Sequence, residues 1–363
     1  MKKEFPLRPS RLEPIFMPRI WGEQSLAPLF PDKNKLTEPI GEVWLTGNDC
    51  KFAEGPFAGY KLSDVWRDMP TDWAGTLFQA DEKPRASFPL LVKFLFPADK
   101  LSIQVHPHDD YAHKHELAAG GAGKTEIWYG VSAKPESEVF VGLKPGVTRQ
   151  VFRRAIDEGT VENCLNRIPI SAGDAVFIPA GTAHTIGAGS VLCEIQQNSD
   201  VTYRVFDYNR RQKDGTIRPL HINKAMDVMN FDRQRGGKAE PARASSHGAE
   251  VSHFAANKYF ALEKWQFAKP VDLNTRQVHF DLWIVTAGKG RFTWEEKSGE
   301  GSGESEYHPG EVWFVPAEQG SWRIEPAART TMLRAFVPDL ARYAVHLSKI
   351  GISDEAVAQI VKR

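Results

Sequence analysis

One phrase occurs twice in this chain, and it limits the folds open to it. Ser171-Ala-Gly-Asp-Ala-Val-Phe-Ile-Pro-Ala-Gly-Thr-Ala-His-Thr-Ile186 is echoed by Tyr307-His-Pro-Gly-Glu-Val-Trp-Phe-Val-Pro-Ala-Glu-Gln-Gly-Ser-Trp-Arg-Ile324. In each copy a Gly-Asp or Gly-Glu turn feeds an apolar strand that stops at proline, which cannot continue a ladder of hydrogen bonds. The surrounding chain is strand-like: Leu90-Leu-Val-Lys-Phe-Leu-Phe96, Glu126-Ile-Trp-Tyr-Gly-Val131 and Ser190-Val-Leu-Cys-Glu-Ile-Gln196 are rich in β-branched, leucine and aromatic residues between glycine and proline breaks. Short strands at regular intervals point to barrels or jelly rolls. With 363 residues and 41% hydrophobic content, two such units are expected rather than one.

The repeated phrase resembles the second sequence motif of the cupin barrels, and Gly288-Lys-Gly-Arg-Phe-Thr293 resembles a cupin hairpin in the second block. The expected fold is mainly β, with two cupin-like jelly-roll or barrel domains, a few helical insertions and a C-terminal helix. Residues 1–230 form the first domain in this reading and residues 253–340 the second. Residues 231–252, without apolar periodicity, read as a linker, and residues 341–363 as the C-terminal helix. Asp109 to Leu117 and Thr148 to Asp157 read as helices, and Glu295 to Glu306 as an acidic hairpin loop.

Lysine plus arginine equal aspartate plus glutamate at 46 each, so no excess positive charge advertises nucleic acid or an anionic membrane. An anionic ligand must be held by a local cluster. No apolar run is long enough to span a bilayer, and the basic N-terminus lacks the apolar run of a secretory signal. Three isolated cysteines, Cys50, Cys164 and Cys193, fit a reducing compartment, so the expected location is cytoplasmic. Oligomeric state is not legible.

Gln104 and His106, in Leu101-Ser-Ile-Gln-Val-His-Pro107, are two residues apart on an expected strand and leave the same face. Glu126 and His184 lie downstream. Any one of these alone is more often an ordinary core or surface residue. Set together in a barrel, two imidazoles and a carboxylate suit Zn²⁺, Mn²⁺ or Fe²⁺, with Gln104 adding a weaker amide ligand and open positions left for water or substrate. Gly123-Lys-Thr125 imitates the end of a phosphate-binding P-loop. The first glycine that motif needs is Ala118, and helix precedes strand instead of following it, so a nucleotide site is rejected.

The segment Glu194-Ile-Gln-Gln-Asn-Ser-Asp-Val-Thr-Tyr-Arg-Val-Phe-Asp-Tyr-Asn-Arg210 offers carboxylates and guanidiniums that could hold a phosphate and move a proton. These phrases, with Pro14-Ile-Phe-Met-Pro-Arg-Ile-Trp-Gly22, Ile40-Gly-Glu-Val-Trp44 and Phe88-Pro-Leu-Leu-Val-Lys-Phe94, closely resemble the type I mannose 6-phosphate isomerases, and in wording the shorter bacterial subgroup. The resemblance implies one zinc per chain, held by Gln104, His106, Glu126 and His184, although other divalent metals share these preferences. It implies an essential arginine at Arg204, active-site positions at Ser102 and Lys124, and acidic positions at Glu194 and Asp200. Arg210 stands where the longer fungal and animal enzymes carry lysine, and is a candidate for binding phosphate.

The expected reaction is reversible isomerisation of D-mannose 6-phosphate and D-fructose 6-phosphate, with zinc-assisted proton transfer between C2 and C1 through an enediolate. Glu194 or Asp200 would carry the proton, Lys124 or Arg204 would offset charge, and Ser102 and Arg210 would help bind the sugar phosphate. Two alternatives fit the same ligands. A metal-dependent cupin oxygenase would use them with Fe²⁺, and a non-catalytic sugar-binding cupin would keep the fold without turnover.

Overall fold

The computed structural model describes residues 6–27, 29–79, 85, 87–231, 236–295 and 302–362. Two β-barrels are present, each made of two antiparallel sheets. In the first, a seven-stranded sheet runs in the order Gly237–Lys238, Ala175–Ile178, Glu126–Ala133, Ser190–Gln197, Leu90–Leu95, Ile40–Trp44, Ile15–Glu23. It faces a five-stranded sheet ordered Tyr203–Phe206, Ile103–Val105, His184–Ile186, Glu138–Leu143, Leu165–Pro169. Alternating residues fill the space between with Trp128, Val139, Val141, Val176, Ile178, Ile186 and Leu192.

The second barrel repeats this plan. A seven-stranded sheet runs Ser10–Leu12, Val312–Val315, Asp281–Ala287, Thr330–Phe336, Ala261–Phe267, Ala249–Ala256, Ala242–Ser246. Its partner runs Val271–Thr275, Gly320–Pro326, Gly290–Glu295, Ser302–Tyr307. Trp265, Trp283, Phe292, Trp313, Trp322 and Met332 pack inside it. Between the barrels lies an aromatic cluster in which Phe280 stacks on Phe314 at 4.8 Å and Phe88 lies 5.1 Å from Phe280, joining residues of both halves into one core.

The expected mainly β architecture is present, and three boundaries differ. The stretch expected as a linker carries strand: Ala242–Ser246 pairs with Ala249–Ala256, and Gly237–Lys238 pairs with Val176 and Phe177 at the edge of the first barrel, while residues 232–235 lie outside the described residues. Ala242 and Ala244 are the inward residues of that strand and pack under the C-terminal helices. Alanines at period two carry too little apolar signal to be read as a strand. The first domain also lends a strand to the second, since Ser10–Leu12 pairs with Val312–Phe314.

The C-terminal segment is two helices, not one. Leu340–Lys349 is capped by the Asp339 carboxylate and Asp354–Ile360 by the Ser353 hydroxyl, with Gly351 at φ +88° turning the chain between them. Helices Asp109–His115 and Arg149–Asp157 stand where the sequence places them, capped by the His108 and Thr148 side chains. The arms Gly290–Glu295 and Ser302–Tyr307 pair as a hairpin, and residues 296–301 of the expected acidic loop lie outside the described residues.

Candidate metal centre and active site

Strand pairing brings the expected ligands together. His184 lies directly across from Gln104 in the five-stranded sheet, and Arg204 lies across from Gln104 on its other side. His106 follows that strand, and Glu126 opens the neighbouring strand of the facing sheet. The donor atoms of His106, Glu126 and His184 all fall within 4.8 Å of one another, and all three residues are buried. His184 Nε2 is 3.3 Å from Glu126 Oε1, and His106 Nε2 is 3.7 Å from Glu126 Oε2.

Each histidine points one nitrogen inward for a reason. His106 Nδ1 is bonded to the Val201 carbonyl at 2.9 Å and His184 Nδ1 to the Thr182 carbonyl at 2.8 Å, so both Nδ1 atoms carry the proton and both Nε2 lone pairs face the focus. Burial, reinforced by the nearby Lys124 ammonium, pushes both imidazoles down, His184 to about 4. They are therefore neutral at physiological pH. Glu126 Oε1 is a buried carboxylate oxygen without a hydrogen-bond partner. An unsatisfied buried anionic oxygen is costly, and a cation is what it lacks. Gln104 Nε2 sits 3.2 Å from His184 Nε2, and a half-turn of the amide presents Oε1 to the same point. This donor set fits a divalent metal ion.

Lys124 precedes Glu126 by two residues and shares its face. Its ammonium is 3.1 Å from His106 Nε2 and in close contact with Glu126 Oε2. Glu194, also buried, accepts a 2.9 Å bond from the Trp128 indole, with Lys124 3.7 Å and Lys93 3.9 Å away. Burial pushes its carboxyl above the ordinary range and the Glu126 charge adds to this, against the pull of Lys124 and Lys93. Asp200 is more than half exposed and pairs with Lys93 at 3.2 Å. The Ser102 hydroxyl lies 3.5 Å from Gln104 Oε1.

A cleft of about 430 Å³ opens over this cluster, lined by Ser102, Gln104, Lys124, Glu194, Asp200 and Arg204 among others. That is ample for a small metabolite. Arg204 is half-buried, donates to the Pro219 carbonyl at 3.0 Å and leaves its Nε without a partner. Arg210, by contrast, does not line the cleft. It is tied to Asp207 at 2.6 Å and Asp99 at 3.2 Å and lies over the Tyr208 ring. Arg218 and Arg19 also line the cleft; Arg218 is paired with Asp207 at 2.8 Å and Arg19 with Glu42 at 2.9 Å.

Glu42 and Lys93 also line the cleft, unanticipated from the sequence, and are 3.5 Å apart. Burial opposes the Glu42 charge, but Lys93, Arg19 and the Trp44 indole outweigh it and hold the carboxyl at about 2. A lysine inside the otherwise apolar run Leu90-Leu-Val-Lys-Phe-Leu95 is the signal that could have found them, since a buried lysine is almost always paired.

Comparison with known proteins agrees with this geometry. Residues 10–149 match the family described as phosphomannose isomerase type I, catalytic domain. The chain is 35% identical over 322 residues to the probable mannose-6-phosphate isomerase GmuF of Bacillus subtilis, covering 87% of this chain and 96% of that protein. The chain belongs to the type I phosphomannose isomerases. A mannose-6-phosphate isomerase of Streptococcus mutans is 34% identical over 77% of this chain and 87% of its own length. The crystal structure of mannose 6-phosphate isomerase from Bacillus subtilis superposes with a TM-score of 0.79 at 28% identity, covering 92% of this chain and 99% of that one. Membership makes the protein an aldose–ketose isomerase of the mannose 6-phosphate class and decides against the oxygenase and the non-catalytic readings. Among the described residues, no helix is long and apolar enough to cross a membrane.

Proposed function

We propose that the protein interconverts D-mannose 6-phosphate and D-fructose 6-phosphate at the cluster described above, with Gln104, His106, Glu126 and His184 holding one zinc ion. The observation that carries this reading is the orphaned Glu126 oxygen facing two neutral imidazoles at the base of a cleft with unpaired guanidinium capacity. Two imidazoles, a carboxylate and an amide oxygen suit zinc and leave room for substrate. A divalent ion bound there supplies Lewis acidity to the sugar's carbonyl end and offsets charge on an enediolate.

The chain's own residues do the rest. Glu194 takes the proton from C2 and returns it to C1, its raised pKa matching it to a base that must also give the proton back. Asp200 is the weaker candidate because it is exposed and held by Lys93. The Lys124 ammonium offsets the charge that develops on the two reacting oxygens. Arg204 anchors the phosphate through charge-assisted bonds, with Arg218 taking the part expected of Arg210, and Ser102 supports Gln104 and the sugar. Cys50, Cys164 and Cys193 are free and buried, which fits a cytoplasmic setting.

A coupled assay of fructose 6-phosphate formation from mannose 6-phosphate tests this. Activity should be lost on chelation and return with Zn²⁺, and Arg204→Ala should lower kcat/KM by roughly 100-fold through lost charge-assisted bonding. Full activity after complete metal removal, or an unchanged Arg204→Ala enzyme, contradicts the assignment.

A further inference from the structure

We propose that Asp109 is a positioning residue for Lys124, and that the second barrel acts on the reaction through it. The inference rests on the assignment of Lys124 made above.

Lys124 lies outside the regular ladder. The strand carrying Glu126 begins at Glu126, so residues 123–125 take their place from other bonds. The Asp109 carboxylate, Gln197 and the Pro107 carbonyl supply them, with the Gln197 N–H also donating to the Thr125 carbonyl at 3.2 Å. Asp109 Oδ1 accepts from the Gly123 N–H at 3.0 Å and from Gln197 Nε2 at 2.9 Å. Gln197 Oε1 in turn accepts from the Thr125 N–H at 2.8 Å, and the Lys124 N–H donates to the Pro107 carbonyl at 3.0 Å. Three consecutive N–H groups are thus pinned around the residue whose ammonium meets His106 and Glu126. Contact at Gly123 is close enough that a Cβ there would come within 2.7 Å of the Asp109 backbone nitrogen.

The other side of Asp109 belongs to the second barrel. The turn between strands Ala249–Ala256 and Ala261–Phe267 is closed by Asn257, whose Oδ1 accepts from the Tyr259 N–H at 2.7 Å and the Phe260 N–H at 3.0 Å. Phe260 is buried with its ring 6.3 Å from Phe177 of the first barrel. This fixes Tyr259 so that its hydroxyl donates to Asp109 Oδ2 in a short bond, with Lys258 Nζ 3.3 Å from the same oxygen. Burial alone would raise the Asp109 pKa, but these four donors lower it, so the carboxylate stays ionised at neutral pH. An unbroken line of bonds therefore runs from a loop of the second barrel to the backbone on both sides of Lys124. Such supporting groups hold reacting groups in place, and removing one commonly costs 10- to 100-fold in activity.

The test is steady-state kinetics on zinc-loaded Asp109→Asn, Tyr259→Phe and the double variant. Asp109→Asn should lower kcat by roughly 10- to 100-fold and Tyr259→Phe by about tenfold, with KM for mannose 6-phosphate, bound metal and melting temperature near those of the parent. The double variant should be no worse than Asp109→Asn alone, because both changes break one connection. Unchanged kcat in the single variants overturns the proposal, as does a loss of kcat that tracks lost metal or lost folded protein. Lys124→Met separates this from the reading beneath it. If Lys124→Met abolishes turnover while Asp109→Asn and Tyr259→Phe are silent, only the positioning role of Asp109 falls; if Lys124→Met is itself silent, the role of Lys124 falls as well.

Discussion

The two barrels place corresponding residues in corresponding positions and fill them differently. Glu126 pairs in register with Ile178, and Asp281 pairs with Val315, the two apolar residues that precede Pro-Ala in the repeated phrase. Two residues on, Trp128 faces Glu194 and Trp283 faces Arg334. Each barrel thus sets an acid at the same end of its interior. In the first, Glu126 keeps an oxygen without a partner and two histidines turn toward it. In the second, Arg334 sits where Glu194 would be and neutralises Asp281 at 2.9 Å and Glu263 at 3.1 Å. Tyr343 of the helix Leu340–Lys349 closes the group with a 3.0 Å bond to Glu263. Across from Leu273, Trp322 fills the space with an indole whose N–H donates to Thr275 at 2.8 Å. The second barrel thus meets its two acids with one arginine, whereas in the first Lys124 meets only one oxygen of Glu126 and the other is left facing the imidazoles.

Making the first barrel more like the second should have the largest effect. His184→Trp removes a ligand and fills the focus, and kcat/KM should fall at least a thousandfold, the equivalent of roughly 4 kcal/mol of lost charge stabilisation. Retention of more than a tenth of the activity would break the comparison. Arg334→Met acts on the other half, leaving two buried carboxylates unbalanced. Stability read by urea unfolding should drop by roughly 3–5 kcal/mol, while turnover per folded molecule stays at the parent level. A loss of turnover in the folded fraction would show that the second barrel's charges enter the chemistry.

The smallest effect concerns acid. The Glu42 pKa is depressed in the fold to about 2 from an ordinary 4.5, so its contribution is present above pH 4.5 and is lost as pH falls toward 2. The stability advantage of the parent over Glu42→Gln should shrink by roughly 1 kcal/mol between pH 5.5 and pH 3.5. A pH-independent difference would mean that Lys93 and Arg19 do not hold the carboxylate as described.

Much of the site is legible in the amino-acid sequence. Period-two spacing sets Gln104 and His106 on one face, and the Pro-Ala phrase locates His184 and the tryptophan near its place in the second barrel. Residues whose roles depend on which strands become neighbours are not legible in this way. Glu42 and Lys93 meet because Ile40–Trp44 pairs with Leu90–Leu95, a register that neither segment states alone. Arg218 replaces Arg210 in the cleft because the loop after Tyr203–Phe206 returns to Asp207, which binds both arginines and leaves only the later one at the cleft. Local sequence shows that an arginine is present, but the fold decides which one reaches the cleft.

Metal stoichiometry in paired variants weighs the two barrels against each other. Glu126→Gln and Asp281→Asn make the same chemical change at corresponding positions, and the bound ion can be counted by elemental mass spectrometry alongside isomerase activity. The parent and Asp281→Asn should each hold one zinc per chain and turn over mannose 6-phosphate, while Glu126→Gln should lose both ion and turnover. Zinc that survives Glu126→Gln, or departs with Asp281→Asn in a folded protein, would place the chemistry elsewhere.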